Sequence, residues 1–214
     1  MKTIELKKLL PHVFAQYADI KSDIWGQDVM LESGHTYLIE AASGTGKSSL
    51  CSYIFNYRHD YEGQILFNGK DIKRMNTAEI TKLRQKDFAL LWQDLRLFPE
   101  LSALENVEIK NNLTHHKSKA QIDEWFERLG IADRKDYKIG KMSFGQQQRV
   151  AMMRTLCQPF SFIMADEPIS HLDDENSRIM GEIMMEEARR QDAGIIVTSI
   201  GKRMMLEYDV TLKL

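Results

Sequence analysis

A loop of small residues followed by a lysine and a serine is the stretch of this sequence best suited to chemistry. Residues 41–48 follow the phosphate-binding pattern G-x-x-x-x-G-K-[ST] with one departure. Gly44 and Gly46 allow the backbone to curve so that consecutive N–H groups point at a phosphate. Lys47 adds a positive charge for the outer phosphates, and the Ser48 hydroxyl is a suitable ligand for Mg²⁺. The pattern therefore predicts a nucleotide site.

The elements around this loop come in the order that a phosphate site needs. An apolar run at residues 37–41 predicts a buried strand, and a helix is predicted from Lys47 to about Tyr57, with its positive N-terminal end toward the phosphate. A glycine-serine turn with an unrelated lysine does not account for this order. Ala41 replaces the first glycine, which strains the backbone only if the position needs a positive φ. The loop residues predicted to hold the nucleotide are Ala42, Ser43, Gly44, Thr45, Gly46, Lys47, Ser48 and Ser49.

Composition limits the classes of protein and partner. With 214 residues the chain suits one large domain, or one core with an inserted subdomain. Lysine and arginine number 29 against 31 aspartate and glutamate residues, so bulk charge indicates no nucleic-acid or acidic-lipid partner. Cys51 and Cys157 suit a reducing cytosol. No apolar run approaches the roughly 20 residues that span a bilayer, and Pro11 interrupts any signal-peptide core. We therefore expect a soluble chain whose membrane role requires a partner.

Apolar runs and capping pairs predict strands that alternate with helices. Strands are predicted at residues 1–7, 37–41, 63–67, 88–92, 160–165, 195–198 and from residue 210. Helix starts are predicted at three capping pairs, which are Asn76 with Glu79, Ser102 with Glu105, and Ser118 with Gln121. Further helices are predicted from Gly145 to Cys157, from the turn at residues 170–173 to Arg190, and for a short stretch from Lys202. This alternation implies a mainly parallel sheet with helices on both faces.

Five segments taken together resemble the ATP-binding cassette (ABC) ATPases, and the resemblance runs over nearly the whole chain. Besides the phosphate loop, Trp92-Gln93-Asp94 looks like the glutamine loop of that family. Residues 142–151, M-S-F-G-Q-Q-Q-R-V-A, are similar to its signature sequence. Residues 162–168 resemble the magnesium-site strand with its catalytic glutamate, and residues 170–173 resemble the loop that crosses the dimer interface. A phosphate loop alone would also fit kinases and GTPases. The signature segment excludes most of these alternatives.

The resemblance implies two copies paired head to tail with ATP held between them. The phosphate loop of one copy would face the signature segment of the other. There Ser143, Gly145 and Gln146 would offer a hydroxyl, N–H groups and a helix dipole to the γ-phosphate. The plainer role of Ser143 is a helix N-cap, and the two roles are compatible. Phe144 stands where the family has glycine, and we expect its ring to point away from the nucleotide.

The resemblance also assigns roles around the reacting phosphate. Asp166, together with Ser48 and Gln93, would hold Mg²⁺ directly or through water. Glu167 would orient and deprotonate the attacking water. Gln93 would in addition report the nucleotide state to the segment that grips a membrane permease. Tyr17 has two equally weighted interpretations, a ring stacked on the base and ordinary half-buried packing.

The largest departure from the family pattern is Ser199. The family has a histidine after this strand, and its imidazole contacts the γ-phosphate. A serine hydroxyl is shorter and uncharged, so it cannot supply the same donor at that reach. Because losing one such donor typically lowers the rate by a factor of about 10² to 10³, we expect ATP binding with slow hydrolysis. The alternative is that His171 from the second copy replaces the missing imidazole.

We therefore predict an α/β fold of the P-loop NTPase type. It would have a RecA-like parallel sheet core, an antiparallel N-terminal portion and an inserted helical subdomain. In this single nucleotide-binding domain, the core is predicted at residues 1–93 and 158–214 and the helical subdomain at about 94–157.

The predicted function is that of the ATP-binding subunit of an ABC transporter. A homodimer that uses ATP and Mg²⁺ would drive a separately encoded permease from the cytoplasmic face of the cell membrane. The resemblance points loosely to the lipoprotein-release and macrolide-efflux branch. The alternative is a regulatory or structural ATP-dependent clamp with little turnover. ABC proteins that act on DNA or ribosomes are disfavoured, because the sequence lacks a coiled-coil insertion, a second cassette and a basic tract.

Overall fold

Two β-sheets organise the structure, a computed structural model that describes residues 1–16, 20–42 and 44–214. The strands of the smaller, antiparallel sheet are β1 (Thr3–Pro11), β2 (Asp28–Glu32), β4 (Tyr61–Phe67) and β5 (Lys70–Asp71). Their order is β2-β1-β4-β5. The larger sheet consists of β6 (Phe88–Leu91), β7 (Phe162–Asp166), β8 (Gly194–Ser199), β3 (Thr36–Glu40) and β9 (Val210–Lys213), in that order.

The larger sheet is parallel, so the carboxyl ends of its strands meet at one end of the sheet. The register places Asp166 beside Thr198 and Glu40 beside Ser199. The loops that follow β3, β6, β7 and β8 therefore start as neighbours, although they are far apart in sequence. Ligands of open α/β sheets bind at this end.

The helices are α1 (Lys47–Ile54), α2 (Thr77–Lys86), α3 (Ala103–Asn111), α4 (Lys119–Arg128), α5 (Phe144–Leu156) and α6 (Asp174–Gln191). Helices α2, α3 and α4 each begin with the predicted capping box, in which the cap side chain and the glutamate or glutamine three residues later exchange hydrogen bonds with backbone N–H groups. A fourth capping box, formed by Ser143 and Gln146, begins α5. No helix within the described residues is long and apolar enough to cross a bilayer.

Each face of the parallel sheet carries its own hydrophobic core. Along β7, Phe162 and Met164 pack into one core, whereas Ile163 and Ala165 pack into the other. The first core includes residues of α1 and the antiparallel sheet, and the second includes residues of α3, α4, α5 and α6. Burial of both faces explains why these strands are continuous apolar runs in the sequence. The α/β fold with an antiparallel N-terminal sheet and a helical insert is thus confirmed.

One predicted helix is absent, another is shorter than predicted, and the first strand ends four residues later than predicted, at Pro11. The helix from Lys202 is wrong, because no helix is formed between β8 and β9. There the Lys202 carbonyl accepts a hydrogen bond from the Ser199 hydroxyl, and the Leu206 N–H donates to the Met204 carbonyl instead of to Lys202, so the first helical turn does not form. Helix α1 ends at Ile54 rather than Tyr57, because Asn56 has a left-handed φ of 58° and the Tyr57 N–H donates to the Ser52 carbonyl, five residues back, instead of the Tyr53 carbonyl.

Candidate nucleotide site

The phosphate loop connects β3 to α1 and depends on two glycines. Gly44 and Gly46 have left-handed φ values of 82° and 99°, which side chains with a Cβ adopt at a cost. A Cβ at Gly46 would also lie 3.0 Å from the rings of Phe14 and Trp25. Ala41 has no left-handed φ, so the missing first glycine causes no strain of that kind. The predicted binding residues Ser43 and Tyr17 lie outside the described residues.

Trp25 supports the phosphate loop through a hydrogen bond, and the sequence analysis did not identify this residue. Its side chain is buried, and its Nε1 donates a 3.0 Å hydrogen bond to the Thr45 carbonyl. The Thr45 hydroxyl in turn donates to the Ala42 carbonyl at 2.9 Å. Trp25 lies before β2 in a segment without helical or strand periodicity, so the sequence carries no signal for this contact.

The predicted catalytic and metal-binding side chains form one connected network. The Lys47 ammonium lies 3.2 Å from Glu167 Oε1, and both side chains are largely buried. The Ser48 hydroxyl donates to Asp166 Oδ2 at 3.0 Å. Gln93 Nε2 donates to Glu167 Oε2 at 3.3 Å. These residues come from the ends of β6 and β7 and from the start of α1, so the topology of the sheet brings them together.

Thr198 completes this network from β8. Its hydroxyl donates to Asp166 Oδ1 at 2.6 Å, and its carbonyl and hydroxyl lie 3.2 and 3.3 Å from the Glu167 N–H. Glu167 has a left-handed φ of 49°, a conformation that costs a residue of this type about 1–3 kcal/mol. The two contacts from Thr198 hold Glu167 in that conformation. The polar pair Thr198-Ser199 at the end of an otherwise apolar strand was the signal that could have identified Thr198.

The donor set at this site fits Mg²⁺. Ser48, Asp166 and Gln93 offer a hydroxyl, a carboxylate and an amide oxygen, which are hard oxygen donors. Among the described residues, no group of three or more histidine, cysteine, aspartate or glutamate side chains is arranged to hold a metal ion. This combination suits Mg²⁺, which usually keeps several waters and binds one or two carboxylates together with substrate phosphates.

Cys51 lies in α1 behind the phosphate loop and is fully buried. Burial raises the pKa of its thiol well above the ordinary value, and the nearby Asp166 carboxylate raises this pKa further. The thiol is therefore protonated at neutral pH and acts as a small apolar side chain. Its role is therefore core packing.

The signature-like segment begins α5 and packs against the loop after β7. Ser143 is the N-cap, and its hydroxyl accepts from the Gln146 N–H at 3.3 Å. A Cβ at Gly145 would lie 3.2 Å from the His171 carbonyl oxygen, so the two segments are in close contact. The Phe144 ring stacks edge-on against His171 at 4.4 Å between centroids. The predicted orientation of Phe144 relative to a nucleotide on another copy stays a prediction.

Two other predicted site residues are engaged elsewhere. Ser199 is 2% exposed, and its hydroxyl donates to the Lys202 carbonyl at 2.5 Å, so none of its hydrogen bonds within the described chain reaches Lys47 or Glu167. The Ser49 hydroxyl accepts a 2.9 Å hydrogen bond from Arg58. The structure therefore brings Lys47, Ser48, Gln93, Asp166 and Glu167 together and leaves Ser199 and Ser49 out of their network.

Comparison with known proteins agrees with this geometry. A family model described as ABC transporter matches residues 26–170. The chain is 29% identical over 177 residues to the lipoprotein-releasing system ATP-binding protein LolD of Syntrophus aciditrophicus, covering 81% of this chain and 79% of that protein. It is 33% identical over 174 residues to the macrolide export ATP-binding/permease protein MacB of a Shewanella species. That match covers 80% of this chain but only 27% of MacB.

Solved structures share the fold. A dimeric ATP-binding cassette in a post-hydrolysis state, bound to ADP and Pi, has a TM-score of 0.74 at 24% identity, covering 92% of this chain and 87% of that one. A bacterial Atm1-family ABC exporter with ATP bound has a TM-score of 0.79 at 22% identity, covering 100% of this chain and 37% of that one.

Proposed function

The chain belongs to the ABC transporter family as an ATP-binding domain, and from this membership we propose that it hydrolyses ATP to drive a separately encoded membrane permease. It works as a homodimer on the cytoplasmic face of the cell membrane. Its predicted core, residues 1–93 and 158–214, binds the nucleotide, and the helical subdomain at about 94–157 carries the signature segment. The observation that supports this function most is the network that joins Lys47 and Ser48 to Asp166, Glu167 and Gln93.

Lys47 changes partner when ATP binds. Without nucleotide its ammonium neutralises Glu167. The phosphates of ATP carry more negative charge than one carboxylate, so Lys47 turns to them and leaves the Glu167 carboxylate to accept a proton. Water then attacks the γ-phosphorus as its proton passes to Glu167. The new P–O bond forms while the bond to the β-phosphate oxygen breaks, and ADP leaves with that electron pair.

Mg²⁺, when bound, neutralises charge on the β- and γ-phosphates. The Ser48 hydroxyl and the Asp166 carboxylate would hold it, and Gln93 would contribute its amide oxygen directly or through water. Thr198 fixes the Asp166 carboxylate at 2.6 Å, so this ligand is oriented before the substrate arrives.

A second copy completes the site. Ser48 is exposed in the single chain, so the outer phosphates of ATP would face water there. The N-terminal end of α5 on the second copy, with Ser143, Gly145 and Gln146, supplies N–H groups and a positive dipole to the γ-phosphate. ATP therefore favours the paired state because it makes contacts there that the single chain lacks.

The permease docks on a groove beside the phosphate site. This groove of about 220 Å³ has walls that include Phe55, Tyr57, Trp92 and Ile109, and Tyr57 and Ile109 are 50% and 43% exposed. Its rim is cationic, because Lys110, Arg154 and Arg96 line it. This chemistry suits a short segment of the permease that combines apolar and acidic side chains. Trp92 also lines the cavity beside Ser48 and Gln93, so nucleotide and permease share one wall.

An Ile109→Glu substitution is expected to weaken the association with the permease at least tenfold. The new carboxylate would be desolvated against the apolar floor and would repel an acidic partner segment. Co-purification with the permease subunit measures the effect. Val13→Glu is the matched control, because Val13 is 56% exposed and lies outside the groove. Equal co-purification of both variants would contradict the proposed docking site.

The second candidate function is an ATP-dependent clamp with little turnover. The contact of the Ser199 hydroxyl with the Lys202 carbonyl favours it, since that side chain offers no donor to a γ-phosphate. The slow turnover predicted from Ser199 holds as long as no other side chain supplies the donor. Steady-state ATPase activity measured beside nucleotide affinity separates the two functions. Tight ATP binding with turnover no faster than background, with the permease present, would favour the clamp.

A further inference from the structure

His171 lines the cavity into which the magnesium-site residues open. This cavity has a volume of about 410 Å³, and its walls include Ser48, Gln93, Asp166, Phe144 and His171. All of these residues belong to one chain. An imidazole therefore faces the same space as the proposed ligands of Mg²⁺.

Two contacts orient the imidazole, and two others fix the backbone beside it. The Phe144 ring meets it edge-on at 4.4 Å, and Nδ1 lies 2.9 Å from the Ser170 hydroxyl. The close approach of Gly145 to the His171 carbonyl fixes the backbone against the start of α5. On the far side, the Leu172 carbonyl accepts a 2.6 Å hydrogen bond from Lys202. His171 is exposed, yet its ring is oriented by its neighbours.

The second ring nitrogen is available to a ligand. The Ser170 hydroxyl accepts a hydrogen bond from Gln148 Nε2 at 3.3 Å, which favours donation of its own proton to His171 Nδ1. The neutral imidazole then carries its proton on Nε2. Within residues 1–16, 20–42 and 44–214, Nε2 has no hydrogen-bond partner. It is thus an N–H donor, and an anion entering the cavity is a suitable acceptor.

We infer that His171 donates a hydrogen bond from Nε2 to the phosphoryl group transferred from ATP on the same chain. The inference rests on the proposed function, and it supplies the donor that Ser199 does not offer. Phe144, a large ring at the start of the signature-like helix, positions the imidazole. The sequence had suggested His171 of a second copy for this role, whereas the shared cavity indicates His171 of the same chain.

Replacing His171 with alanine is expected to lower kcat of the ATPase by about 10²-fold while the affinity for ATP changes little, because the lost donor acts on charge that develops in the transition state. Added imidazole should restore part of the activity of His171→Ala by occupying the space of the ring. A purely structural role would show no such rescue. His59→Ala, at another exposed histidine, is the matched control and should keep the wild-type rate and show no response to imidazole.

Wild-type turnover with an unchanged rate in His171→Ala would overturn the inference and leave the proposed function intact. Absence of ATP binding and turnover in the wild type would instead overturn the proposed function.

Mixed dimers of Lys47→Ala and His171→Ala chains test which chain His171 serves. If it serves its own chain, neither site in the mixed dimer is complete and mixing restores nothing. Recovery of activity on mixing would overturn the assignment to the same chain.

Discussion

A Glu167→Gln variant is expected to bind ATP, to lose hydrolysis and to accumulate as a nucleotide-bound dimer. The amide keeps the size of the side chain but cannot accept the proton of the attacking water. A general base typically contributes a factor of about 10²–10⁴, so turnover should fall by at least that lower value. Binding should not weaken, because Lys47 no longer has to leave a carboxylate 3.2 Å away before it contacts the phosphates.

Light scattering after gel filtration, with ATP and Mg²⁺, with ADP and without nucleotide, measures this result. Of the three samples, only the one with ATP and Mg²⁺ should contain mainly dimer, because only an intact γ-phosphate would contact both copies. Glu62→Gln is the control. Glu62 is exposed on β4, and its substitution removes the same charge as Glu167→Gln does. A Glu167→Gln chain that stays monomeric with ATP, with and without its permease, would exclude the proposed paired site.

Features set by neighbouring residues could be predicted from the sequence. The pairs Asn76 with Glu79 and Ser118 with Gln121 predicted helix starts that the structure has, because a capping box involves residues only three positions apart. Buried parallel strands were equally clear, since the run at Phe162–Asp166 is apolar on both faces of the sheet.

Features that depend on distant contacts could not be predicted in this way. Arg84, some thirty residues later in the chain, binds the carbonyls of Phe55 and Asn56 just beyond the end of α1, and the local sequence carries no signal for this contact. The segment from Lys202 has a plausible helical composition, but the Lys202 carbonyl accepts a hydrogen bond from the Ser199 hydroxyl of β8, and the Leu206 N–H donates to the Met204 carbonyl. In both cases a side chain from another element binds backbone carbonyls, and a local sequence pattern does not predict such a contact.

The candidate site shows the same division. Lys47, Ser48, Asp166 and Glu167 lie in sequence motifs whose chemistry is evident, and the structure joins them. The contacts that orient them come from Trp25 and Thr198, which belong to no motif. The placement of the His171 ring proton on Nε2 depends on Ser170 and Gln148, and the contact of these two residues requires α5 to pack beside the loop after β7.

A Lys47→Ala variant is expected to bind ATP about 10- to 150-fold more weakly and to lose turnover. Hydrogen bonds to charged groups contribute about 1.5–3 kcal/mol, and each 1.4 kcal/mol corresponds to about a factor of ten in affinity. Calorimetric titration with a non-hydrolysable ATP analogue and Mg²⁺ measures the change. Lys82→Ala, at an exposed lysine of α2, is the matched control and should bind as the wild type does.

The same substitution should also lower the free energy of unfolding, by about 1–3 kcal/mol, because it leaves the largely buried Glu167 carboxylate without its cation. Urea unfolding without nucleotide measures this effect. The double variant Lys47→Ala/Glu167→Gln removes the unpaired charge, so it should recover much of the lost stability. It should not recover ATP affinity, because no cation then faces the phosphates.

If the double variant were no more stable than Lys47→Ala, the pairing of Lys47 with Glu167 would not be what stabilises the site. If Lys47→Ala bound ATP as tightly as Lys82→Ala, Lys47 would not be the residue that exchanges Glu167 for phosphate.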